Sequence, residues 1–395
     1  MNGAKASGPI PPEFAGLSAL PWLEEATPAY VYAFAIIRGR IERLRVALPD
    51  RVSLHYAIKA NPLPELLAAI APLVDGLDVA SAGEMARALD VKPAADISFA
   101  GPGKRDAELE VAIRAGVTLH LESEGEAERA LAAAERLGVT PRLAVRVNPD
   151  YELRGSGMKM GGRASPFGVD AARVPALVKR LSAAGVDWRG FHIFAGSQSL
   201  DTQAIIETQA ATLALSRRLA LESGVMPPLV NIGGGFGIPY FASDTSIDLD
   251  AIGGALGERM ADYAELEIAI ELGRFVVGEA GVYLTRVVDR KESQGETFLV
   301  VDGGLHHHLA ATGNFGTVVK RNYPVAVAHR MQDPAEEIVT VVGPLCTPLD
   351  RLADRVALPR AEVGDVIAIF ASGAYGASAS PSAFLGHPPA QEMLR

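Results

Sequence analysis

Short apolar segments alternate with amphipathic ones over more than half of the chain, and this alternation constrains the fold more than any other feature. Eight of the apolar segments have the length and pattern of strands. Amphipathic helical stretches, such as residues 107–115, separate most of them. Eight successive β/α units predict a (β/α)8 barrel. The predicted strands are residues 54–58, 77–80, 97–100, 118–121, 143–147, 190–194, 229–232 and 266–270.

The pattern changes near residue 275, where helical periodicity becomes weak. Strands are predicted at residues 278–289, 297–301, 338–341 and 366–370, and they indicate a second, mostly antiparallel β domain. The segment YVYAF at residues 30–34 is predicted to be a strand that pairs into this domain. The expected organisation is a tail over residues 1–28, a barrel over 35–275, and a β domain formed by 29–34 and 276–395.

Composition excludes several classes of function. The 395-residue chain is 49% hydrophobic and has a net charge of −10, which argues against a nucleic-acid-binding protein. No apolar run reaches the length of a membrane span, and the N-terminus lacks the apolar core of a signal peptide. We therefore expect a cytoplasmic protein with no membrane partner. Cys346 is the single cysteine, so neither an internal disulfide nor a cysteine metal cluster can form.

The segment SLHYAIKANP, residues 53–62, places a lysine where the first barrel strand ends. Its alternation predicts a strand with Lys59 at the carboxyl end, and Asn61 is predicted to cap the next helix. Catalytic groups of β/α barrels lie at this end of the strands. An amine held there can lose its proton through desolvation and form a Schiff base. A lysine that extends its ammonium into solvent is the alternative.

Two further motifs follow the last two barrel strands. NIGGGFGIPY contains Gly233, Gly234 and Gly235, whose backbone N–H groups can approach a phosphate, although a tight turn would also use glycine. ELGR places Glu271 and Arg274 after the eighth strand, where a surface ion pair is the alternative. A phosphate site, a Schiff-base lysine and a carboxylate on one rim suggest pyridoxal 5'-phosphate (PLP). The carboxylate would keep the pyridine nitrogen of PLP protonated.

A set of motifs gives the chain a resemblance to a known family. From about residue 30 to near its C-terminus, the chain resembles the fold type III, alanine-racemase-like PLP-dependent decarboxylases, which include diaminopimelate and ornithine decarboxylases. The resemblance implies decarboxylation of an amino acid or aminoacyl group. The motifs are YAIKAN with Lys59, LDVASAGE with Asp78, GSQ with Ser197, GGGFG, ELGR, GPLC with Cys346 and GAYG with Tyr375.

The resemblance also implies roles for individual residues. PLP would be bound to Lys59 as a Schiff base, Glu271 would meet its pyridine nitrogen, and Cys346 would return a proton to the substrate carbon. Cys346 would reach the active site of the partner subunit in a homodimer. The implied substrate contacts are Arg274, Thr347 and Tyr375, and the other implied cofactor contacts are Asp78, Ser197, Gly233, Gly234, Gly235, Gly273, Arg274 and Tyr375.

The chain departs from the family pattern at the cofactor ring. Relatives stack a histidine on the ring at the position that Phe194 occupies here. The phenyl ring can still stack, but it cannot donate a hydrogen bond. His192 lies one strand period away on the same inward face, and we expect both residues to line the cofactor site. A barrel histidine with a purely structural role is the alternative for His192.

Two charged substrate contacts of the family are also missing. Ornithine and diaminopimelate enzymes have an acidic residue after the active-site cysteine, where this chain has Thr347. A neutral hydroxyl cannot hold an ammonium as a carboxylate does. Diaminopimelate enzymes also have an arginine near the position of Ala310. His306, His307 and His308 lie nearby on a predicted strand, where three adjacent side chains cannot all face one ion, so no metal site is expected.

The motifs GPLCTPLD and HIFAGSQ and an insertion at residues 154–170 resemble a narrower branch. This branch contains decarboxylases of exosortase and exopolysaccharide loci, and the butirosin-pathway enzyme that decarboxylates a glutamyl group on an acyl-carrier protein. The expected substrate is therefore a small-molecule or carrier-bound amino acid, such as a glutamyl group on an acyl-carrier protein. Decarboxylation of diaminopimelate or another free amino acid is the alternative. Arg154, Lys159 and Arg163 form a basic group in the insertion. They belong either to a solvated loop or to a lid that meets an anionic carrier.

Two other functions are compatible with the same barrel. An amino-acid racemase would pair the pyridine nitrogen with arginine and would need a second base, so Glu271 and Cys346 argue against it. A non-catalytic PLP-binding protein would not need both Lys59 and Cys346. The sequence therefore favours a decarboxylase.

Overall fold

The computed structural model describes residues 3–14, 16, 27–152, 156–159, 162–263, 265–313 and 321–395, and for residues 156–159 it describes the backbone. The chain divides into two compact units. The barrel unit comprises Arg38–Gly237 and Ile247–Gly273. The β unit comprises Met1–Ile37, Ile238–Ser246 and Arg274–Arg395. Among the described residues, no helix combines the length and the apolar character that crossing a membrane requires.

The strands of the described chain are β1 (Ala29–Tyr32), β2 (Val52–Ala57), β3 (Gly76–Val79), β4 (Ile97–Phe99), β5 (Thr118–Leu121), β6 (Arg142–Asn148), β7 (Ser156–Lys159), β8 (Val169–Asp170), β9 (Asp187–Ile193), β10 (Gly196–Ser199), β11 (Leu229–Asn231), β12 (Glu267–Leu272), β13 (Gly281–Ser293), β14 (Glu296–Val301), β15 (Val325–Val327), β16 (Glu337–Val342), β17 (Arg351–Leu358), β18 (Val366–Ile369) and β19 (Gln391–Leu394). The α-helices are α1 (Phe34–Ala47), α2 (Pro64–Ile70), α3 (Ala82–Leu89), α4 (Asp106–Ala115), α5 (Glu124–Leu137), α6 (Val174–Ala183), α7 (Thr202–Ser223), α8 (Leu249–Met260) and α9 (Arg274–Val277).

Eight parallel strands of the barrel unit form a closed sheet. Their order is β2, β3, β4, β5, β6, β9, β11 and β12, and β12 pairs with β2 to close the ring. The predicted (β/α)8 barrel is confirmed, and each of the eight predicted strands overlaps an observed one. The short strand β8 pairs with the end of β6, while β7 and β10 pair with each other outside the ring.

Polar caps and glycines set the limits of several barrel helices. The side chains of Ser81, Ser123 and Asp201 each accept the backbone N–H of the residue three positions ahead, at the start of α3, α5 and α7. Gly116 and Gly138 adopt the left-handed conformation that ends α4 and α5. Local chemistry therefore fixes the boundaries of the β/α units.

A short 3-10 turn, Ile58–Ala60, follows β2 and carries Lys59. Asn61 does not cap the helix with Pro62 as its first residue, as predicted, because the Asn61 Oδ1 atom accepts the Leu63 N–H at 3.2 Å and closes a local turn. Helix α2 begins only at Pro64, a residue suited to the first helical position. Lys59 is thus held on a turn between strand and helix.

The β unit contains a mixed, mostly antiparallel sheet, as the predicted fold class requires. The main path runs β15-β18-β13-β14-β16-β17. β1 pairs antiparallel with β13 and parallel with β19, so segments from both ends of the chain join one sheet. Val31, Val282, Leu284, Ala368 and Phe370 pack in its core.

Several details of the β unit differ from the sequence prediction. Strands β15, β17 and β19 were not predicted, and β13 begins at Gly281 because α9 and a 3-10 turn occupy the preceding residues. The three histidines lie in a turn and not on a strand: the backbone N–H groups of His307 and His308 both donate to the Gly304 carbonyl at 2.9 Å. The side chains of His306, His307 and His308 are all buried.

Candidate active site

Each of the eight barrel strands carries a buried polar side chain. Barrel interiors are usually filled by bulky apolar side chains, so a polar set of this size indicates a functional site. Hydrogen-bond or ion-pair distances join six of the eight residues into two groups. The smaller group is His55 and Asp78, and the larger one, the Glu271 group, is His120, His192, Asn231 and Glu271. In strand order, the residues are His55, Asp78, Ser98, His120, Arg146, His192, Asn231 and Glu271.

Glu271, on β12, lies at the centre of the larger group. Its Oε2 atom is 2.9 Å from His192 Nε2 and accepts a hydrogen bond from Asn231 Nδ2 at 3.2 Å. Burial alone would raise the pKa of Glu271, but His192, Lys59 and Arg146 outweigh it and hold the pKa well below its usual range. The structure therefore keeps an ionised carboxylate inside the barrel.

His192, on β9, connects this carboxylate to a second histidine. Its Nδ1 atom is 3.0 Å from Nδ1 of His120 on β5, and the two ring centroids are 4.7 Å apart. Burial, reinforced by the electrostatic effect of the neighbouring imidazole, holds the pKa of His120 well below its usual value, so His120 is neutral at pH 7. The structure places His192 beside Glu271, and its contact with the cofactor stays a prediction.

Lys59 and Phe194 lie near one another at the carboxyl end of the strands. Lys59 Nζ is 5.8 Å from the centroid of the Phe194 ring. The turn that holds the lysine packs closely on Gly273, where an added Cβ would come within 2.9 Å of Ala60 Cβ. β12, which carries Glu271, pairs with β2, and the Lys59 turn follows β2 directly, so the amine and the carboxylate belong to neighbouring strands. The barrel thus brings together the predicted anchor, aromatic face and carboxylate.

The glycine loop after β11 packs tightly against the neighbouring strand ends. Gly233 has φ +72°, and a Cβ there would come within 2.8 Å of the Ile193 carbonyl oxygen and 3.1 Å of Phe194 Cδ2. A Cβ on Gly234 would overlap the carbonyl oxygen of Glu271. Asn231 Oδ1 accepts the Gly233 N–H at 2.9 Å and so links the loop to the Glu271 group. Only glycine fits these positions without movement of the backbone.

Ser197 and Asp78 occupy two other parts of the barrel unit. Ser197 lies on β10, opposite Met158 of β7, and its side chain is partly exposed. Asp78 is buried, with Oδ1 3.5 Å from His55 Nδ1 and Oδ2 without a hydrogen-bond partner in the described part of the chain. Burial disfavours a charged His55, but Asp78 more than compensates and raises the pKa of His55 above its usual value. The roles of Ser197 and Asp78 toward a cofactor remain predictions.

The basic insertion is only partly described. Arg154 lies outside the described residues, and so does the side chain of Lys159. Arg163 Nη2 is 3.4 Å from Glu152, so this guanidinium has an acidic neighbour. The end of the insertion is tied to the barrel because the Gly168 N–H donates to a carboxylate oxygen of Glu122 at 2.7 Å. The lid function of the insertion stays a prediction.

The predicted contacts beyond Gly273 belong to the β unit. Arg274 Nη1 donates to the Tyr240 hydroxyl at 2.7 Å, and its guanidinium carbon lies 4.8 Å from the centroid of the Tyr375 ring. Tyr375 has φ +54°, an uncommon conformation for a non-glycine residue that indicates a constrained position. Arg274 and Tyr375 thus form one cluster with Tyr240, which the sequence did not identify. Their phosphate and substrate contacts stay predictions.

The loop that carries Cys346 is braced by a buried aspartate. Asp350 accepts the Leu345 N–H at 2.8 Å and the Leu305 N–H at 2.6 Å. Cys346 itself is exposed in this chain, and Thr347 is partly exposed. The thiol is therefore presented on a fixed loop at the surface of the β unit. Its role as proton donor stays a prediction.

His120 and Asn231 are the main residues of the barrel cluster that sequence reasoning missed. Each occupies an inward position of a predicted strand, as the histidine in TLHL and as the last residue of LVN. A search for polar residues at alternate positions of the eight strands would have found both. Among the described residues, no group of three or more His, Cys, Asp or Glu is arranged to hold a metal ion.

These residues fit PLP. The cofactor needs an amine for covalent attachment, a carboxylate for its pyridine nitrogen, a flat surface for its ring and backbone N–H groups for its phosphate. The barrel unit supplies Lys59, the ionised Glu271, the Phe194 ring, and a glycine loop whose Cβ positions are blocked by neighbouring backbone and side chains.

Comparisons with known proteins identify the family. Residues 34–278 match the family described as "Pyridoxal-dependent decarboxylase, pyridoxal binding domain". The chain is 36% identical over 380 residues to L-glutamyl-[BtrI acyl-carrier protein] decarboxylase of Niallia circulans, with 93% of this chain and 89% of that protein covered. It is 30% identical over 375 residues to 2-[(L-alanin-3-ylcarbamoyl)methyl]-2-hydroxybutanedioate decarboxylase of Staphylococcus aureus, with 91% and 92% covered.

A solved structure agrees with these relatives. The Helicobacter pylori diaminopimelate decarboxylase complexed with L-lysine has a TM-score of 0.84 and 29% identity, with 95% of this chain and 93% of that chain covered. The chain therefore belongs to the PLP-dependent decarboxylases of fold type III. It is a carboxy-lyase that uses PLP, as the motifs predicted.

Proposed function

We propose that this enzyme decarboxylates an α-amino acid head group held on a neutral acyl or amide linkage, with a glutamyl group on an acyl-carrier protein as its substrate. The observation that carries the proposal is Thr347, which follows Cys346 where a carboxylate would be needed to hold a distal ammonium. Ala310 likewise leaves a distal carboxylate without an arginine. An unpaired buried charge of either kind costs about 1–3 kcal/mol or more.

Two relatives support this choice of substrate class. The Niallia circulans protein is named for a glutamyl group on a carrier, and the name of the Staphylococcus aureus protein describes an alanine head on a carbamoyl linkage. In both names the α-amino acid head is attached through a neutral group. A site with Thr347 beside its thiol is compatible with such a linkage, because no charge has to be neutralised there.

In the proposed reaction, each barrel residue has a distinct task. When bound, PLP supplies a ring that accepts the electron pair released as CO₂ leaves. Lys59 holds the cofactor covalently, and Glu271 keeps the proton on the pyridine nitrogen because its carboxylate stays ionised. Phe194 supports the ring from one side through its apolar face. Gly233 and Gly234 keep the loop free of side chains, so backbone N–H groups beyond that of Gly233, which donates to Asn231, can approach the phosphate.

The protonation step is assigned to Cys346, and we propose that it acts across a homodimer. The loop of one subunit would present the thiol to the substrate carbon in the barrel of its partner. In a mixture of inactive Lys59→Ala and Cys346→Ala proteins, mixed dimers would contain one intact site, so part of the activity should return. No recovery, with subunit exchange demonstrated by differently tagged chains, would contradict a shared site.

The substrate proposal is tested by measuring CO₂ release side by side. The substrates are free glutamate, lysine, ornithine and meso-diaminopimelate, and a glutamyl thioester of a carrier protein or of pantetheine. We expect turnover of the thioester and poor activity on the free amino acids. Ordinary efficiency on a free diamino acid, with none on the thioester, would make the protein a conventional amino-acid decarboxylase.

A substitution at Thr347 sharpens this test. Thr347→Asp introduces the carboxylate that the family uses, and it should raise kcat/KM for ornithine and lysine by roughly tenfold, about 1.4 kcal/mol. Thr347→Asn is the matched control, because it has a similar size without the charge. Equal activity of both variants on the diamino acids would show that this position does not select the substrate.

A further inference from the structure

His120 is a buried side chain that contacts the Glu271 group and has no role in the reaction described above. Its Nδ1 atom is 3.0 Å from Nδ1 of His192, whose Nε2 atom is 2.9 Å from Glu271 Oε2. His120, His192 and Glu271 are 3%, 2% and 6% exposed, so water does not compete strongly for these polar contacts. A continuous polar chain thus leads from β5 to the carboxylate on β12.

Small residues allow the two histidines to meet across the strand between them. β6 lies between β5 and β9, and Ala144 of β6 is paired with His120 on one side and with Gly190 on the other. Neither Ala144 nor Gly190 has a side chain large enough to separate the imidazoles. The contact is therefore built into the packing of three adjacent strands.

The geometry restricts where protons can lie. A carboxylate faces Nε2 of His192, and a bare ring nitrogen there would place a lone pair against a negative charge, so Nε2 must carry a proton. The Nδ1 atom of His192 then faces Nδ1 of His120, and one of these two nitrogens must donate to the other. In either direction, the hydrogen bond occupies Nδ1 of His192 and leaves Nε2, 2.9 Å from Glu271 Oε2, as the nitrogen on the side of the carboxylate.

We propose that His120 is a positioning residue, which fixes the ring orientation and the Nε2 proton of His192 and thereby holds the Glu271 carboxylate in its ionised, oriented state. Through Glu271, this effect reaches the pyridine nitrogen of PLP, a step that rests on the role proposed above for Glu271. His120 itself does not touch the reacting atoms.

The charged surroundings of His120 favour a neutral ring. Besides burial, His192, Lys104 and Arg146 all lower the pKa of His120, because each disfavours a positive charge on its ring. Glu271 acts in the opposite sense. Lys104 Nζ also donates to the backbone carbonyl of His120 at 3.0 Å, which fixes the backbone at this position. A neutral, immobile imidazole is suited to orient a neighbouring ring.

The first test examines the protein without cofactor. In 15N-histidine-labelled apoprotein at pH 7, His192 is expected to show a protonated Nε2 and a hydrogen-bonded Nδ1, with signals assigned by comparison with His192→Gln. His120→Leu should shift the Nδ1 signal and change the pH response of His192, because leucine fills the buried space without a polar atom. His120→Asn retains a donor and an acceptor and should restore part of the signal.

The second test measures turnover on the substrate that the CO₂ assay identifies. His120→Leu should lower kcat about tenfold, as removal of an outer hydrogen-bond partner commonly does, with KM within about twofold. His120→Asn should recover a measurable part of kcat. Circular dichroism and urea titration establish that both variants are folded.

The results of these two tests distinguish the proposal for His120 from the proposed substrate. Unchanged His192 signals and pH response in a folded His120→Leu variant would overturn it, whatever the substrate is. If that variant does not fold, the unmodified protein still decides, because an unprotonated Nε2 or an unbonded Nδ1 in His192 would also overturn it. A kinetic effect without any change at His192 would mean that His120 acts by another route.

Discussion

Substitution of Gly234 by alanine tests how closely the glycine loop and the Glu271 strand depend on each other. The new Cβ would overlap the Glu271 carbonyl oxygen and lie 2.7 Å from Leu272 Cδ2. Carbon atoms normally keep about 3.5 Å between them, so relief of the second contact alone requires a movement of roughly 0.8 Å. The first contact is with backbone, which cannot rotate away as a side chain can. The movement must therefore displace the loop, the end of β12 or both.

Two effects of Gly234→Ala follow from this displacement. Overpacking of this kind lowers the free energy of unfolding by about 1–3 kcal/mol. A displacement near 1 Å of the group that holds the pyridine nitrogen can lower kcat by about 100-fold. Both numbers are measurable, the first by urea titration of the apoprotein and the second by CO₂ release at saturating substrate and PLP.

Gly254→Ala is the matched control. This glycine lies in the interior of α8, in the same barrel unit, and a Cβ there would meet nothing within 4 Å. Alanine is favoured over glycine inside a helix, so the control should gain about 0.5–1 kcal/mol in stability and retain full activity. If Gly234→Ala matches the unmodified protein in both stability and kcat, the close packing inferred between loop and strand is wrong.

Three further predictions concern single residues. Lys59→Ala should abolish turnover and the PLP adduct that borohydride reduction and mass spectrometry detect in the unmodified protein, and undiminished decarboxylation would contradict the anchor assignment. Glu271→Gln should retain PLP but lower kcat by about 100- to 1,000-fold, and a full-rate variant would refute its role. Burial lowers the pKa of His306 to about 4 and of His308 to about 3. As the pH falls below ~6.5, these histidines therefore take up protons in the unfolded chain but not yet in the folded one. Between pH 6.5 and 5 the free energy of unfolding should fall by up to about 1.4 kcal/mol per pH unit for each histidine, and a flat profile in urea titrations would contradict this. The raised pKa of His55 gives a contribution that is complete below pH 6.5 and is lost at higher pH, so it does not mask the effect.

The barrel was predictable because its evidence is local. Each strand is a short apolar segment, and each helix begins or ends at a capping residue such as Ser123 or Gly138, within a few positions of the segment it limits. Lys59 and Glu271 could be proposed as anchor and carboxylate for the same reason. Lys59 and Glu271 stand at strand ends, and all strand ends of a parallel barrel meet on one rim.

The His120–His192 contact could not be predicted in this way. The two residues are 72 positions apart and lie on strands that are not neighbours, so only the closed ring and the small residues of β6 bring them together. The turn that contains His306 was missed for a different reason. Three identical residues show no alternation of polar and apolar side chains. The backbone hydrogen bonds to Gly304 that define the turn cannot be recognised from hydrophobic periodicity.

Asp350 braces the loop that bears Cys346. Its carboxylate accepts N–H groups from Leu305 and Leu345. It therefore joins the start of the histidine turn to the loop that bears the cysteine. Gly304 and Gly343 pack against it, because a Cβ on either would overlap the carboxylate. Burial raises the pKa of Asp350, although both N–H groups oppose that shift.

Neither Ala310 nor Thr347 has a side-chain hydrogen bond to this brace among the contacts of the described residues. Within the loop, Thr347 Oγ1 accepts the Leu349 N–H at 3.3 Å, an acceptor role that an aspartate or asparagine side chain can also fill. The two hydrogen bonds that Asp350 accepts do not involve the side chain of either position. Because the Asp350 brace does not use the Thr347 side chain, we expect Thr347→Asp to leave the fold of the loop intact while it alters the proposed substrate choice. Asp350→Asn, by contrast, should weaken the loop for every substrate alike, because it replaces a carboxylate oxygen that accepts a backbone N–H by an amide that donates. A change in substrate preference in that variant, without a general loss of kcat, would show that the brace and the specificity positions are coupled.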